Sequence, residues 1–363
     1  MAGAERGGSP LRGKSTRVVV VGGGIVGARA ARDLLVPGPD GAPGVAAVSL
    51  VTRRRDRAEE LRRAFGGSVT VIVGDRPDLG DADVVVVARE PRQQSDVVRR
   101  ALSEGRHVVA TGDDPDEVGD LLRLDGEAVE RSSVVVLGAA MSPGLTCLLA
   151  RHGAALFDRV DEIHVARDGA AGPACARQRL RALRGTAQEW RDGAWVRRAG
   201  FSGRELCWFP DPIGARDCYR AELAEPALLE DAFSDVQRVS ARLAASPMDR
   251  VLAPLPVWIG PPVEGAPGAA RVELRGVREG RREALVYGVL DRPGVAAAAT
   301  AAVLAMHVGS GDFAPGCHGA AAIDDPLPVL RELARRGVRA AAFDGAGTSI
   351  SEAGFTPAVA ARD

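Results

Sequence analysis

Residues 17–36 read Arg17-Val18-Val19-Val20-Val21-Gly22-Gly23-Gly24-Ile25-Val26-Gly27-Ala28, then RAARDLLV, and this stretch decides the fold. A continuous β-branched run of strand length meets three glycines and opens into an alanine-rich helix. The loop PGPDGAPG at 37–44 ends that helix, and VAAVSLVT at 45–52 supplies a second strand. Gly22, Gly24 and Gly27 satisfy G-x-G-x-x-G inside the strand–helix–strand unit that gives this motif its meaning. Gly22 permits a tight turn, Gly24 lets a backbone approach a pyrophosphate, and Gly27 lets the helix pack closely on the strand. Ile25 and Val26 open a helix whose unpaired N–H groups suit an anion. The competing reading is an α/β domain whose glycine-rich turns hold no ligand.

Further along, SVTVIVG at 68–74, ADVVVVA at 82–88, HVVATG at 107–112 and SSVVVLGAA at 132–140 are apolar runs of strand length. Several are separated by helices such as RRRDRAEELRRAF (53–65), with Leu61 and Phe65 on one face, and SDVVRRALSEG (95–105). Six Val-rich runs of this kind call for a doubly wound parallel sheet, a Rossmann α/β domain over 17–157. Residues 1–16 read as a flexible tail. VDEIHVARDG alternates, pieces of EWRDGAWVRR and RELCWFP are strand-like, and 271–291 reads as a hairpin turning at Glu279-Gly280. A smaller α+β domain is expected over 158–291. The segment 292–363 is expected to return to the first domain as helices, the first of them beginning at Pro293.

Composition narrows the function. With 363 residues, 46% hydrophobic and 26% charged, the chain can bury two cores, and a net charge of −1 offers nucleic acid no electrostatic footprint. Lys14 is the single lysine among 47 basic residues. Arginine stays protonated, so a lysine Schiff base within a folded site is excluded. Cys147, Cys175, Cys207, Cys218 and Cys317 show no CxxC spacing, and no secretory or membrane-spanning run is seen, so a cytoplasmic protein is expected. No histidine pair has metal-ligand spacing, and no metal is expected.

At the exit of the second strand the sequence is Thr52-Arg53-Arg54-Arg55-Asp56. A carboxylate there commonly accepts from the adenosine ribose of NAD; guanidinium groups suit the 2′-phosphate of NADP instead. Thr52, Arg53 and Arg54 are therefore cofactor candidates, NADP is expected with NAD possible, and the alternative is that these arginines only begin a charged surface helix. Gly8 to Ser15 fits G-x-x-x-x-G-K-S, but only seven residues precede it and a strand follows, so a phosphate-binding loop is rejected.

These residues resemble the saccharopine dehydrogenase-like family: VVVVGGGIVG, DADVVVVA, EGRHVVATGD and GAAMSPGLTCLLA carry the likeness, with a weaker echo in PGCHGA at 315–320. The resemblance implies a Rossmann domain, a second domain whose sheet often forms a homodimer, and NAD(P)-dependent oxidoreduction of a secondary amine or its imine. Ligands of open parallel sheets lie beyond the carboxyl ends of the strands. That places Ala88 and Thr111 beside the cofactor, and Met141 and Ser142 beside a small-molecule substrate. Ser142 would sit at a helix N-terminus with Pro143 in its first turn. Asp113 and His318 are the candidates for proton transfer, His318 by its place in a Gly-rich loop. Helix capping competes for Asp113 and Ser142, core packing for Met141. Arg177–Arg184 reads as a solvated helix face or a carboxylate clamp. The expected activity is hydride transfer to or from a C=N or C=O carbon. A non-catalytic NADP-binding regulator, or an enzyme that recycles NAD(P) as a prosthetic group, fits the same residues.

Overall fold

Val18 to Val21 carry branched side chains on both faces of a strand, and all four are buried. Such a strand is stable only when covered on both sides, and the surrounding elements supply that cover. The structure is a computed structural model describing residues 16–38, 44–76, 78–246, 248–249 and 265–343. The GKS-type motif at 8–15 lies outside the described residues, as does all of the 1–16 tail but Thr16.

The first half runs β1 (Arg17–Val21), α1 (Ile25–Asp33), β2 (Ala47–Thr52), α2 (Arg55–Phe65), β3 (Thr70–Val73), β4 (Val84–Val87), α3 (Ser95–Ser103) and β5 (His107–Ala110). It continues through α4 (Pro115–Leu122), α5 (Asp125–Glu130), β6 (Val134–Leu137) and α6 (Leu145–Ala154). The second half holds β7 (Arg159–Asp168), α7 (Pro173–Arg184), β8 (Thr186–Arg191), β9 (Ala194–Ala199), β10 (Glu205–Trp208), β11 (Ala215–Arg220), α8 (Glu225–Glu230) and β12 (Arg238–Ala244). The hairpin β13 (Gly268–Arg278) and β14 (Arg281–Asp291) follows, then α9 (Pro293–Gly309), β15 (Gly316–Gly319), α10 (Leu327–Arg335) and β16 (Ala340–Phe343).

The first sheet has the order β3-β2-β1-β4-β5-β6-β15, and every described pairing in it is parallel. This is the doubly wound Rossmann arrangement with its switch point between β1 and β4. Val84 to Val87 at its centre have no exposed surface, each contributing about 1.5–3 kcal/mol by burial. The second sheet is mixed, with order β10-β11-β12-β7-β13-β14-β16 and the β8–β9 hairpin attached to β12. Glu279 (φ 49°) and Gly280 (φ 73°) form the two-residue turn between β13 and β14, the left-handed pair that a tight hairpin requires.

The expected all-helical return after residue 292 is corrected in two places. Residues 316–319, read as a Gly-rich loop, form β15 and pair in parallel with β6. β16 pairs with β14 of the second sheet instead. Both strands are short and built of Gly, Cys, His, Ala and Phe, so neither shows the β-branched pattern by which a strand is recognised. α9 is apolar nearly all round, as a helix covered on every side must be; it packs against α1, α6, α10 and the strands β4 and β5. No described helix is long and apolar enough to cross a membrane.

Candidate active site

Beyond the carboxyl ends of β1, β4, β5 and β6 lies a cavity of about 480 Å³. One wall is the glycine turn. Gly22 has φ 134°, and a Cβ there would stand 2.2 Å from the Ala88 carbonyl oxygen. A Cβ on Gly27 would lie 1.8 Å from the Gly22 oxygen, so both residues are fixed by packing. Gly24 differs: nothing lies within 4 Å of its would-be Cβ, and it lines the cavity with Ile25 and Val26. It precedes α1, whose first turn has no acidic residue and no side-chain cap. A backbone open on one side at an uncapped helix start fits the phosphates of a dinucleotide.

Near this wall, Arg54 lines the cavity and its Nε donates to Asp56 Oδ1 at 3.1 Å. Arg53 reaches Gln93 Oε1 at 3.4 Å and does not line the cavity. Thr52 is buried beneath the turn, where a Cβ on Gly23 would meet its Cβ at 2.7 Å. Ala88 and Thr111 line the cavity from the β4 and β5 exits. Between those exits sits Gln94, almost fully buried: its Nε2 donates to the Arg89 carbonyl at 2.7 Å and its Oε1 accepts from Gly112 N at 3.0 Å. Glu117 accepts from the backbone N–H groups of Arg92, Gln94 and Ser95, tying down the start of α3.

The opposite wall comes from the second sheet. Arg167, near the end of β7, donates through Nη2 to Asp113 Oδ2 at 2.9 Å and through Nη1 to the Ser142 carbonyl. Its Nε stands 3.8 Å from Glu225 Oε1, and Glu225 is wholly buried. Burial opposes the charge on Arg167, but the two carboxylates outweigh it and hold the guanidinium above its ordinary range. Cys175, in the first turn of α7, also lines the cavity. Burial, then the Asp113 charge, push its thiol up, while Arg167 pulls the other way.

Two capping expectations are corrected. Asp114, not Asp113, caps α4, accepting from Glu117 N at 3.1 Å; it also accepts from Arg92 Nε and from Gln178 Nε2 of α7. Asp113 is thereby left to the cavity. Ser142 caps no helix either: α6 begins at Leu145 after Gly144, and Ser142 Oγ donates to Glu225 Oε1 at 2.8 Å. Pro143 consequently precedes the helix instead of forming its first turn. Met141 is 4% exposed yet lines the cavity, so packing and lining coincide there.

His318 is corrected more fully. It lies on β15, the far edge of the first sheet, where its ring stacks on Phe313 at 5.8 Å. It is absent from the cavity wall, because a parallel edge strand carries it away from the switch point. Of the arginine-rich helix face, Arg177 reaches the cavity and meets Glu90 at 3.3 Å, whereas Arg179 pairs with Asp249. Among the described residues no group of three or more His, Cys, Asp or Glu could hold a metal ion.

Sequence reading missed Arg167, Gln94, Glu117 and Glu225. Arg167 had a signal: in the alternation of β7 it falls on the face of Ile163 and Val165, and a guanidinium on an apolar face needs a buried partner. Glu117 follows Asp114 by three residues, a capping-box spacing. Gln94 and Glu225 carry no local signal.

Residues 16–111 match a family described as an oxidoreductase family with an NAD-binding Rossmann fold. The whole fold is similar to saccharopine dehydrogenase (L-Glu forming) from Saccharomyces cerevisiae, with TM-score 0.66 and 15% identity over 91% of this chain and 100% of that one. GenD2 from gentamicin A biosynthesis, in complex with NAD, matches at TM-score 0.43 and 16% identity over 94% of this chain and 100% of its own. A DAP dehydrogenase of C. glutamicum, in complex with DAP, matches at 0.46 and 14% over 89% and 99%. Residues 16–111 are thus similar to the NAD-binding Rossmann domain of an oxidoreductase family, and the yeast enzyme shares the overall fold.

Proposed function

We propose that the chain is an NADP-dependent oxidoreductase that moves a hydride to or from a C=N or C=O carbon of a small polar substrate. The observation that carries this reading is one cavity walled by the open backbone at Gly24 and by the Arg167–Asp113 pair. When bound, the nicotinamide supplies or takes up the hydride. The rest is the work of the chain. Gly24 and the start of α1 receive the phosphates, and Arg53 at the β2 exit favours a nucleotide bearing a 2′-phosphate. Gln94 fixes the β4 and β5 exits against each other, and α7 with Pro293 and Ala297 walls the cavity from bulk water. Arg167 fixes the carboxylate of Asp113, which gives or takes the substrate proton; Cys175 stays a neutral thiol beside it.

The test is a panel of aldehydes, ketones and imines offered with NADPH, followed by the loss of reduced-nicotinamide absorbance. The reading expects turnover with part of the panel and a loss of about 10²–10⁴-fold in kcat for Asp113→Asn, with NADPH affinity unchanged. Tight nucleotide binding with no turnover across the panel would overturn the catalytic part.

A further inference from the structure

We propose that Asp75 is a built-in stand-in anion that holds Arg53 and Arg89 as a clamp for the 2′-phosphate of the nucleotide. NADP binding then displaces a carboxylate already seated between two guanidinium groups. This rests on the nucleotide reading above and extends its specificity from the β2 exit to residues after β3 and β4.

Thr52 and Val73 are register partners, and Gly74 N donates to the Thr52 carbonyl at 3.0 Å, so the β3 exit runs beside the β2 exit. Asp75, the next residue, has Oδ1 at 4.0 Å from Arg53 Nε and 3.5 Å from Arg89 Nη2. Arg89 is held in place: its side chain is 13% exposed, and Nη2 also donates to the Asp75 backbone carbonyl at 2.5 Å. It lines the cavity as well. Of the neighbouring guanidinium groups, Arg54 is engaged with Asp56, and Arg57 with the Gly23 carbonyl and Glu60.

Two guanidinium groups converging on one oxyanion make the arrangement that phosphate seeks. A phosphate monoester brings up to two charges and three acceptor oxygens against the single charge of Asp75, so it wins the clamp. The displaced carboxylate still stands close by and opposes it. NADH, with a ribose hydroxyl in place of the phosphate, leaves Asp75 where it is. The carboxylate therefore lowers affinity for the phosphorylated nucleotide while keeping the clamp assembled without it.

The experiment is calorimetric titration of the full chain and its Asp75→Asn variant with NADPH, NADH and adenosine 2′,5′-bisphosphate. Asp75 is 70% exposed, so the variant keeps the fold, which a matching thermal melt verifies. Removing one opposing charge at such distances near water predicts about fivefold tighter binding of both 2′-phosphorylated ligands, with NADH unchanged within about twofold. Arg89→Gln is expected to weaken the same two ligands and spare NADH. Unchanged or weaker NADPH binding by Asp75→Asn, or a loss confined to NADH, overturns the clamp and leaves the nucleotide reading intact. A parent chain that binds neither NADPH nor NADH overturns both.

Discussion

Replacing Arg167 with leucine removes the cation that stands between two acidic side chains. Asp113 loses a 2.9 Å ion pair and Glu225, wholly buried, loses a charge 3.8 Å away. Stripping one partner from a buried pair costs about 3–5 kcal/mol because the other charge is left without compensation. Asp113 retains some solvent contact through the cavity, which favours the lower end, about 3 kcal/mol. At an unfolding entropy of about 2.1 cal/mol/K per residue spread over this chain, that lowers Tm by roughly 4 °C. Differential scanning calorimetry at pH 7 reads the shift. Adding Glu225→Gln to the variant removes the stranded charge while keeping an acceptor for Ser142, and is expected to restore about half of the loss. A single variant melting within about 1 °C of the parent would refute the reasoning. So would a double variant as unstable as the two single changes added together.

Gly27→Ala forces a Cβ to within 1.8 Å of the Gly22 oxygen, so it is expected to lower stability by about 1–3 kcal/mol, read by chemical denaturation. Asp114→Ala strips the α4 cap together with the Arg92 and Gln178 bonds, an expected loss of about 2–3 kcal/mol in the same assay. Cys175 is raised above the ordinary thiol range, so its reactive thiolate is scarce at pH 8 and accumulates only as pH climbs past the usual value of about 8.5. Mass spectrometry after iodoacetamide treatment at pH 8 should show Cys175 alkylated more slowly than a free cysteine; equal rates would contradict that environment.

How much of this was legible in the sequence follows from the range of the forces involved. The six Val-rich strands and the glycine turn announce themselves because a strand buried on both faces must be apolar throughout and a tight turn must be glycine. The Glu279-Gly280 turn was legible for the same local reason. β15 escaped because an edge strand of small residues shows no such pattern, and His318 was consequently placed in a loop near the cleft. Asp113 and Asp114 are neighbours of the same type, and the three-residue spacing of Asp114 to Glu117 was the local signal that Asp114 caps α4. The partner of Asp113 had no such local signal, because Arg167 lies far along the chain on another sheet. Glu225 was hidden because its partners Ser142 and Arg167 meet it only through the packing of α8 against the first domain. Local chemistry therefore marked one wall of the cavity, and long-range pairing set the other.

The most direct measurement is calorimetric titration of the chain and its Gly24→Val variant with NADPH. The Cβ at Gly24 points into open space, so the variant should fold and melt as the parent does. The parent is expected to bind one nucleotide per chain, and the variant to lose that binding, because its side chain fills the path of the phosphates. Binding of equal strength in both would contradict a dinucleotide lying along the glycine turn.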